Sequence, residues 1–560
     1  MRPDFILLKS SLIYTTGKFL RLSNRREPSQ AEPTNEYMQE TIETDVIIVG
    51  AGPTGLALGC QLIRYGVDFV IFDQKESITD LSKAIAVQAR TLEIYEQIGL
   101  ADQAVAQGAI AERVNLITGG EVRGSIELSD IGKDLSPYPF ALLLEQSKNE
   151  QLLFDYLTQR GQNVLWQTAL QSVLQTSDAV TATIKTANGN SQEIKAKYLV
   201  GCDGAKSVAR HQLNFKFEGN TIDALFYVAD VEMDFAGSHN SIYVCFGADS
   251  FVAFFPLKGE NRWRLVGNLP DDADREDHQI DYDLVEEKIK REVKLPLDIK
   301  SVKWFSVYRV HSRRVDKFSD GRCFLAGDAA HIHTPAGGQG MNTGIGDAYN
   351  LAWKLALVLK DWANPALLDT YNTERLENAK HLLATTDRLF NLGTGDDYLT
   401  SFIRTYIFPF VAEYALRLDL VKQTVFPILS QIGINYRHSA LSVHEGDAGF
   451  KIKAGDRMPY LALGGKSIYD FLLEPKFHFL VFSNEAVSLA ELKSQTQKYG
   501  EYVDFQSLPL NSSVAEMFGT EKPFSVLLRP DNYIGFVSAD ISAEKLKVYP
   551  FFDESFRTKD

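Results

Sequence analysis

Hydrophobic and polar positions are arranged most regularly between residues 45 and 74 of the chain. A β-branched, apolar run at residues 46–49 is typical of a buried strand. An apolar stretch of helical character then continues to Tyr65, where Gly66 provides a helix stop. A second apolar run follows at residues 69–72. This order predicts a strand, a helix and a second strand packed as one βαβ unit.

A strand followed by a glycine-containing turn is predicted twice more. Residues 198–200 form an apolar run that leads to the turn Asp203-Gly204. Residues 323–326 form another, which ends at Gly327-Asp328. Ligands of open α/β sheets bind at the carboxyl ends of the strands, so both turns are candidates for a ligand-binding edge.

The pattern changes between residues 224 and 269, where aromatic residues and valine alternate with small and polar residues. This alternation predicts antiparallel strands at hairpin spacing. Phe251, Phe254 and Phe255 are candidates for a pocket wall, although phenylalanine in a strand is more often plain core. An acidic, polar stretch at residues 271–283 then leads into a charged helix.

The last part of the chain has the pattern of a small α/β domain. Apolar runs at residues 477–483, 503–510 and 524–539 suggest a small α/β arrangement, and a helix is expected near residues 489–499. No cysteine lies beyond Cys323, so thiol exchange in this domain is excluded. A packing or dimerisation role is the expectation, and homodimer formation is left open.

Composition narrows the class of partner. The chain has 560 residues, of which 45% are hydrophobic and 23% charged, and its net charge is −15. This length predicts several domains, and this charge argues against nucleic acid or an anionic membrane as the main partner. The four cysteines are scattered without metal-ligand spacing. We therefore expect a cytoplasmic protein that binds no metal.

Residues 1–44 do not have the pattern of the fold that follows. Their apolar runs are interrupted by Lys9 and Lys18, so the segment is too broken to span a bilayer, and no stable membrane insertion is expected. Basic residues leave a targeting peptide or a membrane-surface helix open. The favoured interpretation is a disordered extension, with Met38 as an alternative start.

The βαβ unit carries the clearest candidate chemistry. Gly50, Gly52 and Gly55 have the spacing G-x-G-x-x-G, and Asp73 ends the second strand. The first glycine allows a tight turn, the second lets a pyrophosphate approach the backbone, and the third lets the helix pack closely. The helix N-terminus attracts phosphate, and an acid at this distance can bind an adenosine ribose. An ordinary glycine-rich turn is the competing interpretation, which the complete unit disfavours.

Three further polar residues are weaker candidates for the same site. Arg90, before a predicted helix at residues 91–98, could hold a pyrophosphate bidentately, or could be a surface arginine. Gln146, between a strand and a helix, could bind ribose hydroxyls or simply begin the helix. Asp203 stands in a turn, where aspartate is usually structural.

The loop between residues 335 and 340 carries a second concentration of glycine. Pro335, Gly337, Gly338 and Gly340 allow backbone to approach a flat or bulky group, and an apolar helix is predicted at residues 345–359. The N-terminus of that helix would point back at the loop. A reduced flavin carries negative charge on its pyrimidine ring, which a helix N-terminus would stabilise.

Three motifs together resemble the single-component FAD-dependent aromatic hydroxylases, the class A flavoprotein monooxygenases. They are GAGPTG at residues 50–55, CDGAKSVAR at residues 202–210 and GDAAHIHTPAGGQGMNTG at residues 327–344. The chain is most similar to the branch that contains phenol hydroxylase, 3-(3-hydroxyphenyl)propionate hydroxylase and the aromatic polyketide hydroxylases. The motifs cover the region from residue 45 to about residue 359.

The resemblance implies a role for each matched position. The residues that would bind FAD without a covalent bond are Gly50, Gly52, Pro53, Thr54, Gly55, Asp73, Arg90, Gln146, Asp203, Gly327, Asp328, Gly340, Met341 and Asn342. The residues of the flavin-face loop, which would also face the substrate, are Pro335, Gly337, Gly338, Gln339 and Gly340. Asp203 would also support the passing nicotinamide coenzyme.

The sequence departs from the family where the substrate would be activated. The family often has arginine where this chain has Lys206, and arginine near Lys83, and Ile85 stands where phenol hydroxylase has an acid. That acid helps to activate the phenol, so the base is unassigned here. Candidates, each with an ordinary structural role as the alternative, are Tyr243, Tyr308 and His311.

The resemblance implies an α/β plus α+β fold with three parts. A Rossmann-like FAD-binding domain would comprise residues 45–223 and 305–382, with an inserted antiparallel-sheet substrate domain at residues 224–304. A helical connection at residues 383–452 would lead to a thioredoxin-like C-terminal domain at residues 453–560 that lacks redox cysteines.

The implied reaction is hydroxylation of a small aromatic substrate with O₂ and NAD(P)H through a flavin C4a-hydroperoxide. Because only one dinucleotide fingerprint is present, NAD(P)H is expected to visit an open groove. A reductase, an epoxidase, a halogenase or a non-catalytic flavoprotein are the alternatives, although the halogenase segment W-x-W-x-I-P is absent from the sequence.

Overall fold

A computed structural model describes residues 41–80, 84–247, 250–269, 280–334, 338–394, 419–485 and 500–550, with single positions between 487 and 494. Most of the predicted N-terminal extension, residues 1–40, lies outside these ranges. The first strand begins at Ile42, three residues before the boundary expected at residue 45.

The first 212 residues of the chain hold eleven of the named strands and six helices. The strands are β1 (Ile42–Val49), β2 (Phe69–Phe72), β3 (Ala86–Val87), β4 (Ala109–Ala111), β5 (Arg113–Thr118), β6 (Glu121–Glu127), β7 (Ala141–Leu143), β8 (Val164–Leu165), β9 (Ala169–Gln175), β10 (Val180–Lys185) and β11 (Ser191–Gly201). The helices are α1 (Pro53–Tyr65), α2 (Ala89–Glu96), α3 (Ala101–Gln107), α4 (Leu128–Gly132), α5 (Gln146–Thr158) and α6 (Val208–Gln212).

The remaining elements fall into two groups along the chain. The first group is β12 (Phe217–Phe235), β13 (Ser241–Phe246), β14 (Phe251–Pro256), β15 (Arg262–Leu269), α7 (Tyr282–Val293), β16 (Leu297–Val315), β17 (Ser319–Asp320), β18 (Cys323–Leu325), β19 (His331–Ile332), α8 (Gly340–Leu359) and α9 (Asp369–Thr394). The second group is α10 (Asp419–Leu429), β20 (Ala462–Leu463), β21 (Lys466–Ser467), β22 (Phe477–Phe482), β23 (Val503–Leu508), α11 (Ser512–Phe518), β24 (Phe524–Leu528) and β25 (Ile534–Ser538).

The predicted βαβ unit is confirmed. Strands β1 and β2 pair in parallel, and α1 between them ends at Gly66, which adopts the left-handed conformation with φ 63°. The strand order β18-β11-β1-β2-β8 is parallel throughout, which brings the carboxyl ends of these strands to one edge. The apolar residues of β1 and α1 form the core beneath that edge.

The antiparallel sheet is confirmed but is larger than predicted. Its order is β19-β16-β12-β15-β14-β13-β5-β6. Strand β16 runs to Val315, past the domain boundary expected at residue 304. Strands β5 and β6 join from the region assigned to the FAD-binding domain, because β5 pairs in parallel with β13. Apolar residues of helix α7 cover one face of this sheet.

The C-terminal part contains a four-stranded sheet in the order β23-β22-β24-β25. Strand β22 pairs in parallel with β23 and antiparallel with β24. The sheet has its own apolar core, which includes Phe482, Phe518 and Phe524. The helix expected near residues 489–499 lies mostly outside the described residues.

Candidate functional site

The turn between β1 and α1 has the geometry that its three glycines require. Gly50 has φ +100°, and a Cβ there would lie 2.5 Å from the Cys202 carbonyl oxygen. A Cβ on Gly55 would overlap the Gly50 carbonyl oxygen. A Cβ on Gly52 would meet nothing within 4 Å. Two glycines are therefore needed for packing, and the third leaves open space at the N-terminus of α1, where a pyrophosphate would fit.

Asp73 stands beside this turn at the end of β2. Its Oδ2 accepts a hydrogen bond from the Ala51 N–H (2.7 Å), and its Oδ1 accepts one from the Lys75 N–H (2.9 Å). The Lys75 ammonium lies 3.8 Å from Oδ2. A carboxylate has about four acceptor positions, so these contacts fix Asp73 and leave capacity for a ribose hydroxyl.

Thr54 brings two motifs that are remote in sequence against the first turn. A Cβ on Gly327 or on Gly344 would overlap the Thr54 hydroxyl oxygen. The first turn is thereby packed against the Gly327-Asp328 turn and helix α8, and Gly50 packs it against Cys202. The three motifs converge at one edge of the parallel sheet, as the sequence predicts. Pro53 is the first residue of α1, where its missing N–H costs nothing.

Asp203 organises the second motif. Its carboxylate accepts hydrogen bonds from the Ser207 hydroxyl (2.6 Å) and the Ala209 N–H (3.0 Å). Burial raises the pKa of Asp203 despite these bonds. The Arg210 guanidinium donates to the carbonyls of Ala205 (2.8 Å) and Ala329 (3.0 Å), so it joins this turn to the Gly327 turn.

Asp347 is a site residue that sequence reasoning missed. Its buried carboxylate accepts hydrogen bonds from the Gly327 N–H (2.9 Å) and from Arg375 (2.5 Å), and lies 2.8 Å from His331 Nε2. Burial would raise the pKa of Asp347, but Arg375 and His331 outweigh it and lower the pKa. Asp347 therefore holds the turn that presents the exposed Asp328.

Helix α8 starts at Gly340, five residues before the predicted start. The first N–H groups of a helix have no intrahelical acceptor, and here they belong to Gly340, Met341 and Asn342. The N-terminus of the helix, with its positive dipole end, therefore points back toward the flavin-face loop. Pro335 and Gly337 of that loop lie outside the described residues.

The Asn342 side chain, in the first turn of α8, is committed to the protein itself. The Asn342 amide accepts from the Gln88 N–H (2.8 Å) and the Thr91 hydroxyl (2.7 Å), and donates to the carbonyls of Ala86 and Gly338 (both 2.9 Å). This leaves backbone N–H as the way in which Asn342 could bind a cofactor.

Gly338 and Gln339 of the loop and Met341 of α8 also face protein. The Gln339 amide donates to the Ile428 carbonyl (3.0 Å), and the Met341 sulfur accepts from the Asn149 amide. A Cβ on Gly338 would lie 2.8 Å from the Ala86 side chain. Substitution of Gly338 would therefore press on the protein rather than on an open face.

The structure does not support Arg90 as a pyrophosphate ligand. Arg90 is buried, its guanidinium pairs with Glu93 (3.1 Å), and it donates to the Asp531 carbonyl (2.9 Å). It also lies over the rings of Tyr349 and Tyr533. Arg90 therefore joins helix α2 to the C-terminal part of the chain.

Gln146 starts helix α5, as predicted. Its Oε1 accepts from the Ala84 N–H (3.2 Å), and its Nε2 donates to Glu150 (2.9 Å). Through these contacts Gln146 fixes the start of helix α5 to the segment that leads into β3.

A basic cavity adjoins the Asp203 motif. It has a volume of about 530 Å³, and none of the described residues that line it is acidic. Its polar lining consists of cationic and imidazole side chains, which are Lys206, Arg210, His211, His311 and Arg313. His311 and Arg313 are two positions apart on β16, so they share a face of that strand. The cavity has the chemistry of an anion site.

The face of the antiparallel sheet opposite α7 carries aromatic side chains. Phe226 is the cross-strand neighbour of Tyr308 on β16. The centroid of the Phe226 ring lies 6.2 Å from that of Phe251 and 6.1 Å from that of Tyr308. At the other end of this face, Arg264 forms a bidentate pair with Asp230. Arg264 also donates to the Ala84 carbonyl (3.3 Å), so this end of the face contacts the segment that leads into β3.

The other predicted wall residues do not belong to that aromatic group. Phe254 is on the opposite face, fully buried, with its ring 5.4 Å from Phe235. Phe255 packs with a separate apolar cluster that includes Ile85 and Leu143. Phe254 is therefore plain core.

The candidate bases differ in where they lie. The Tyr243 hydroxyl donates to the Ser238 carbonyl (3.3 Å) within the sheet core, which indicates a structural role. His311 lines the basic cavity, with its Nδ1 3.0 Å from the Thr221 hydroxyl. Tyr308 alone of the three lies on the aromatic face, where burial raises its pKa to about 12. It is therefore a neutral hydroxyl at physiological pH.

Among the described residues there is no cluster of three or more His, Cys, Asp or Glu side chains that could hold a metal ion. In the same part of the chain, no helix is both long and apolar enough to cross a membrane.

Comparisons with known proteins agree with this geometry. A family model described as FAD binding domain matches residues 43–386. The chain is 31% identical over 505 residues to a flavin-dependent monooxygenase of Mycobacteroides abscessus, covering 88% of this chain and 96% of that protein. It is 29% identical over 511 residues to 6-methylpretetramide 4-monooxygenase of Streptomyces rimosus, covering 87% and 90%. The solved structure of OxyS anhydrotetracycline hydroxylase from Streptomyces rimosus superimposes with a TM-score of 0.72 at 26% identity, covering 91% of this chain and 99% of that one.

Proposed function

The chain belongs to the FAD-binding family of flavin-dependent monooxygenases, and from this premise we propose how it binds FAD, NAD(P)H and an aromatic substrate. The enzyme is an FAD-dependent monooxygenase of the aromatic hydroxylase type, and NAD(P)H and O₂ are its co-substrates. The convergence of three motifs on one sheet edge is the observation that supports the placement of the cofactor.

The described residues fit FAD. The open space at Gly52 and the N-terminus of α1 would hold the pyrophosphate, and Asp73 the adenosine ribose. The exposed carboxylate of Asp328 would accept hydrogen bonds from the ribityl hydroxyls, and the N-terminus of α8 would face the flavin ring. When bound there, FAD supplies hydride acceptance from NAD(P)H and the activation of O₂.

The basic cavity is the proposed docking place of NAD(P)H. The coenzyme carries a diphosphate, which cationic side chains bind through charge-assisted hydrogen bonds. Lys206 and Arg313 line the cavity, and Arg210 joins its wall to the turn that carries Asp328. The visiting coenzyme would thus be held next to the flavin without a second Rossmann domain.

The aromatic face of Phe226, Phe251 and Tyr308 is the proposed wall of the substrate site. Stacked and edge-on contacts with these rings would orient an aromatic ring and exclude water from the reacting atoms. Tyr308 keeps its proton at neutral pH, so it would donate a hydrogen bond to a phenolate oxygen. A phenol or another electron-rich aromatic compound is the proposed substrate.

The fold of the C-terminal domain, the cellular compartment and the oligomeric state are also proposed. The order β23-β22-β24-β25, with one parallel pair and an antiparallel hairpin, supports a thioredoxin-like C-terminal domain. Four unpaired, buried cysteines support a reducing compartment such as the cytoplasm. Homodimer formation remains a proposal.

Parallel measurement of NAD(P)H, hydrogen peroxide and hydroxylated product across single-ring and fused-ring phenols tests this function. A true substrate is expected to speed NAD(P)H oxidation and to give about one product per NAD(P)H with little peroxide. Phe251→Ala should raise the peroxide fraction because water reaches the site, whereas Phe254→Leu, on the covered face, should not. If no phenol changes the oxidation rate, the aromatic hydroxylase assignment loses its support.

A further inference from the structure

The C-terminal sheet has no cysteine for redox chemistry, yet one of its loops reaches the core of the FAD-binding part. The loop joins β24 to β25 and begins with Arg529, which is fully buried. Its guanidinium lies among the rings of Trp353, Tyr436 and Tyr533 at 5.2–5.7 Å. A buried cation of this kind needs specific partners, because removing it from water is costly.

Those partners are a carboxylate of helix α9 and a carboxylate of the same loop. Arg529 donates two hydrogen bonds to Glu374 (2.7 and 3.0 Å) and is also paired with Asp531 (2.6 Å). Glu374 in turn accepts from Lys354 of α8 (2.8 Å) and from Ser439 (2.6 Å). Burial would raise the pKa of Glu374, but Arg529 and Lys354 outweigh it and hold the pKa well below its ordinary value. Glu374 is therefore held ionised between the two parts of the chain.

The next residue on α9 continues the connection toward the flavin site. Arg375 donates to Asp347 (2.5 Å), to the Tyr436 hydroxyl (2.8 Å) and to the Thr343 carbonyl (3.2 Å). Asp347 is the carboxylate that fixes the Gly327 N–H. A continuous set of buried hydrogen bonds and ring contacts thus runs from the C-terminal loop to the turn that carries Asp328.

We propose that Arg529 is a positioning residue for the flavin site. Its contacts fix α8 and α9 relative to the C-terminal domain, so that Asp347 stays in place to hold the Gly327 turn. This inference rests on the proposed placement of FAD at that turn. Arg529 acts through Glu374 and Tyr436 and does not itself contact the cofactor. This positioning role gives the C-terminal domain, which has no redox cysteines, a function in cofactor binding.

Two substitutions in the full-length chain test the proposal. Arg529→Lys keeps the charge but loses the fork that binds Glu374 and Asp531 together. Tyr436→Phe removes only the hydroxyl that receives Arg375. Arg437→Lys is the matched control, because Arg437 forms a bidentate pair with Asp456 at the surface. The dissociation constant of FAD is measured by reconstitution of the apoprotein, well below each unfolding temperature, together with the visible flavin spectrum.

Arg529→Lys and Tyr436→Phe are each expected to weaken FAD binding by about five- to tenfold, and Arg437→Lys to leave it unchanged. A role in stability alone would lower the unfolding temperature without moving the dissociation constant or the spectrum, and that result would overturn the proposal. If Arg529→Lys does not fold, Tyr436→Phe decides alone. If the wild-type chain takes up no FAD, the proposed function fails too, whereas wild-type uptake with unchanged variants overturns only this inference.

Discussion

Two regions of the molecule are suited to phosphate groups, and they use different chemistry. The turn from Gly50 to Gly55 offers backbone N–H groups and a helix dipole at an open position. The basic cavity offers the side chains of Lys206, His311 and Arg313. Backbone donors are fixed by the fold, whereas long cationic side chains must be ordered and are screened by salt. The first arrangement suits a resident cofactor, and the second suits a coenzyme that must leave.

The net negative charge of the chain increases the need for cationic side chains in the basic cavity more than at the backbone turn. At −15 the protein repels a polyanion at long range, so a visiting coenzyme needs a local positive site. A cofactor that binds once and stays depends less on such attraction. Substitutions in the two regions should therefore have separable effects.

Gly52→Ala is expected to have the largest effect. Its methyl group would fill the open space assigned to the pyrophosphate without touching protein within 4 Å. FAD affinity should fall about 10- to 100-fold, or roughly 1.4–2.8 kcal/mol, while the fold is kept. Reconstitution of the apoprotein measures the affinity, and circular dichroism checks the fold.

Gly449→Ala is the control for that substitution. Gly449 also has nothing within 4 Å of a built Cβ, and it lies outside the three motifs. FAD affinity should be unchanged in this variant. If Gly52→Ala binds FAD as tightly as Gly449→Ala does, the pyrophosphate does not lie at the turn.

Lys206→Ala and Arg313→Ala should act on the coenzyme alone. Each removes one charge-assisted contact, so the dissociation constant of NAD(P)H should rise about five- to tenfold, or roughly 1–1.4 kcal/mol. FAD content should not change. Lys195→Ala, at an exposed and remote lysine, is the control. Loss of FAD from the cavity variants would erase the distinction between the two regions.

Acidification is expected to have the smallest effect on FAD binding at the turn from Gly50 to Gly55, and it should act only through the stability of the fold. The pKa values of Asp347 and Glu374 are lowered in the folded state, so their stabilisation is present above the unfolded values and is lost as pH falls through the folded ones. The raised pKa of Asp203 acts in the opposite direction. The contribution of Asp347 and Glu374 to the unfolding temperature should be constant from about pH 8 to 5 and should be lost below about pH 4.

FAD release should accompany that loss of stability, because backbone N–H donors do not titrate. The measurement is flavin fluorescence in the filtrate beside far-UV circular dichroism over the same pH series. Release of flavin between pH 5 and 8 from a folded protein would contradict the assignment of the pyrophosphate to backbone donors.

Local signals account for what the sequence predicted well. The unit β1–α1–β2 follows from residue periodicity and from the spacing of its three glycines. Close packing excludes a Cβ at Gly50 and Gly55, and Gly52 leaves open space. Asp347 could also have been found, because Asp347, Asn350 and Lys354 form a polar stripe at i, i+3 and i+7 on the largely apolar helix α8. Such a stripe predicts buried polar partners.

Long-range contacts account for what the sequence did not show. Strand β5 joins the antiparallel sheet through pairing with β13, which is remote in sequence. Arg90 adjoins the motif region, yet its guanidinium faces Glu93 and the C-terminal loop. Glycine has low helix propensity, so the sequence predicts a later start for α8. The helix nevertheless begins at Gly340, where the Asn342 side chain donates a hydrogen bond to the Gly338 carbonyl and fixes the backbone.

The most direct test of the two-region account is anaerobic reduction of the holoenzyme by NADPH at increasing salt, followed by flavin absorbance. The account predicts that the apparent dissociation constant of NADPH rises steadily with ionic strength, because side-chain cations are screened. The limiting reduction rate and the bound FAD should stay constant. An NADPH dissociation constant that is independent of salt, or FAD that leaves the protein as salt rises, would contradict it.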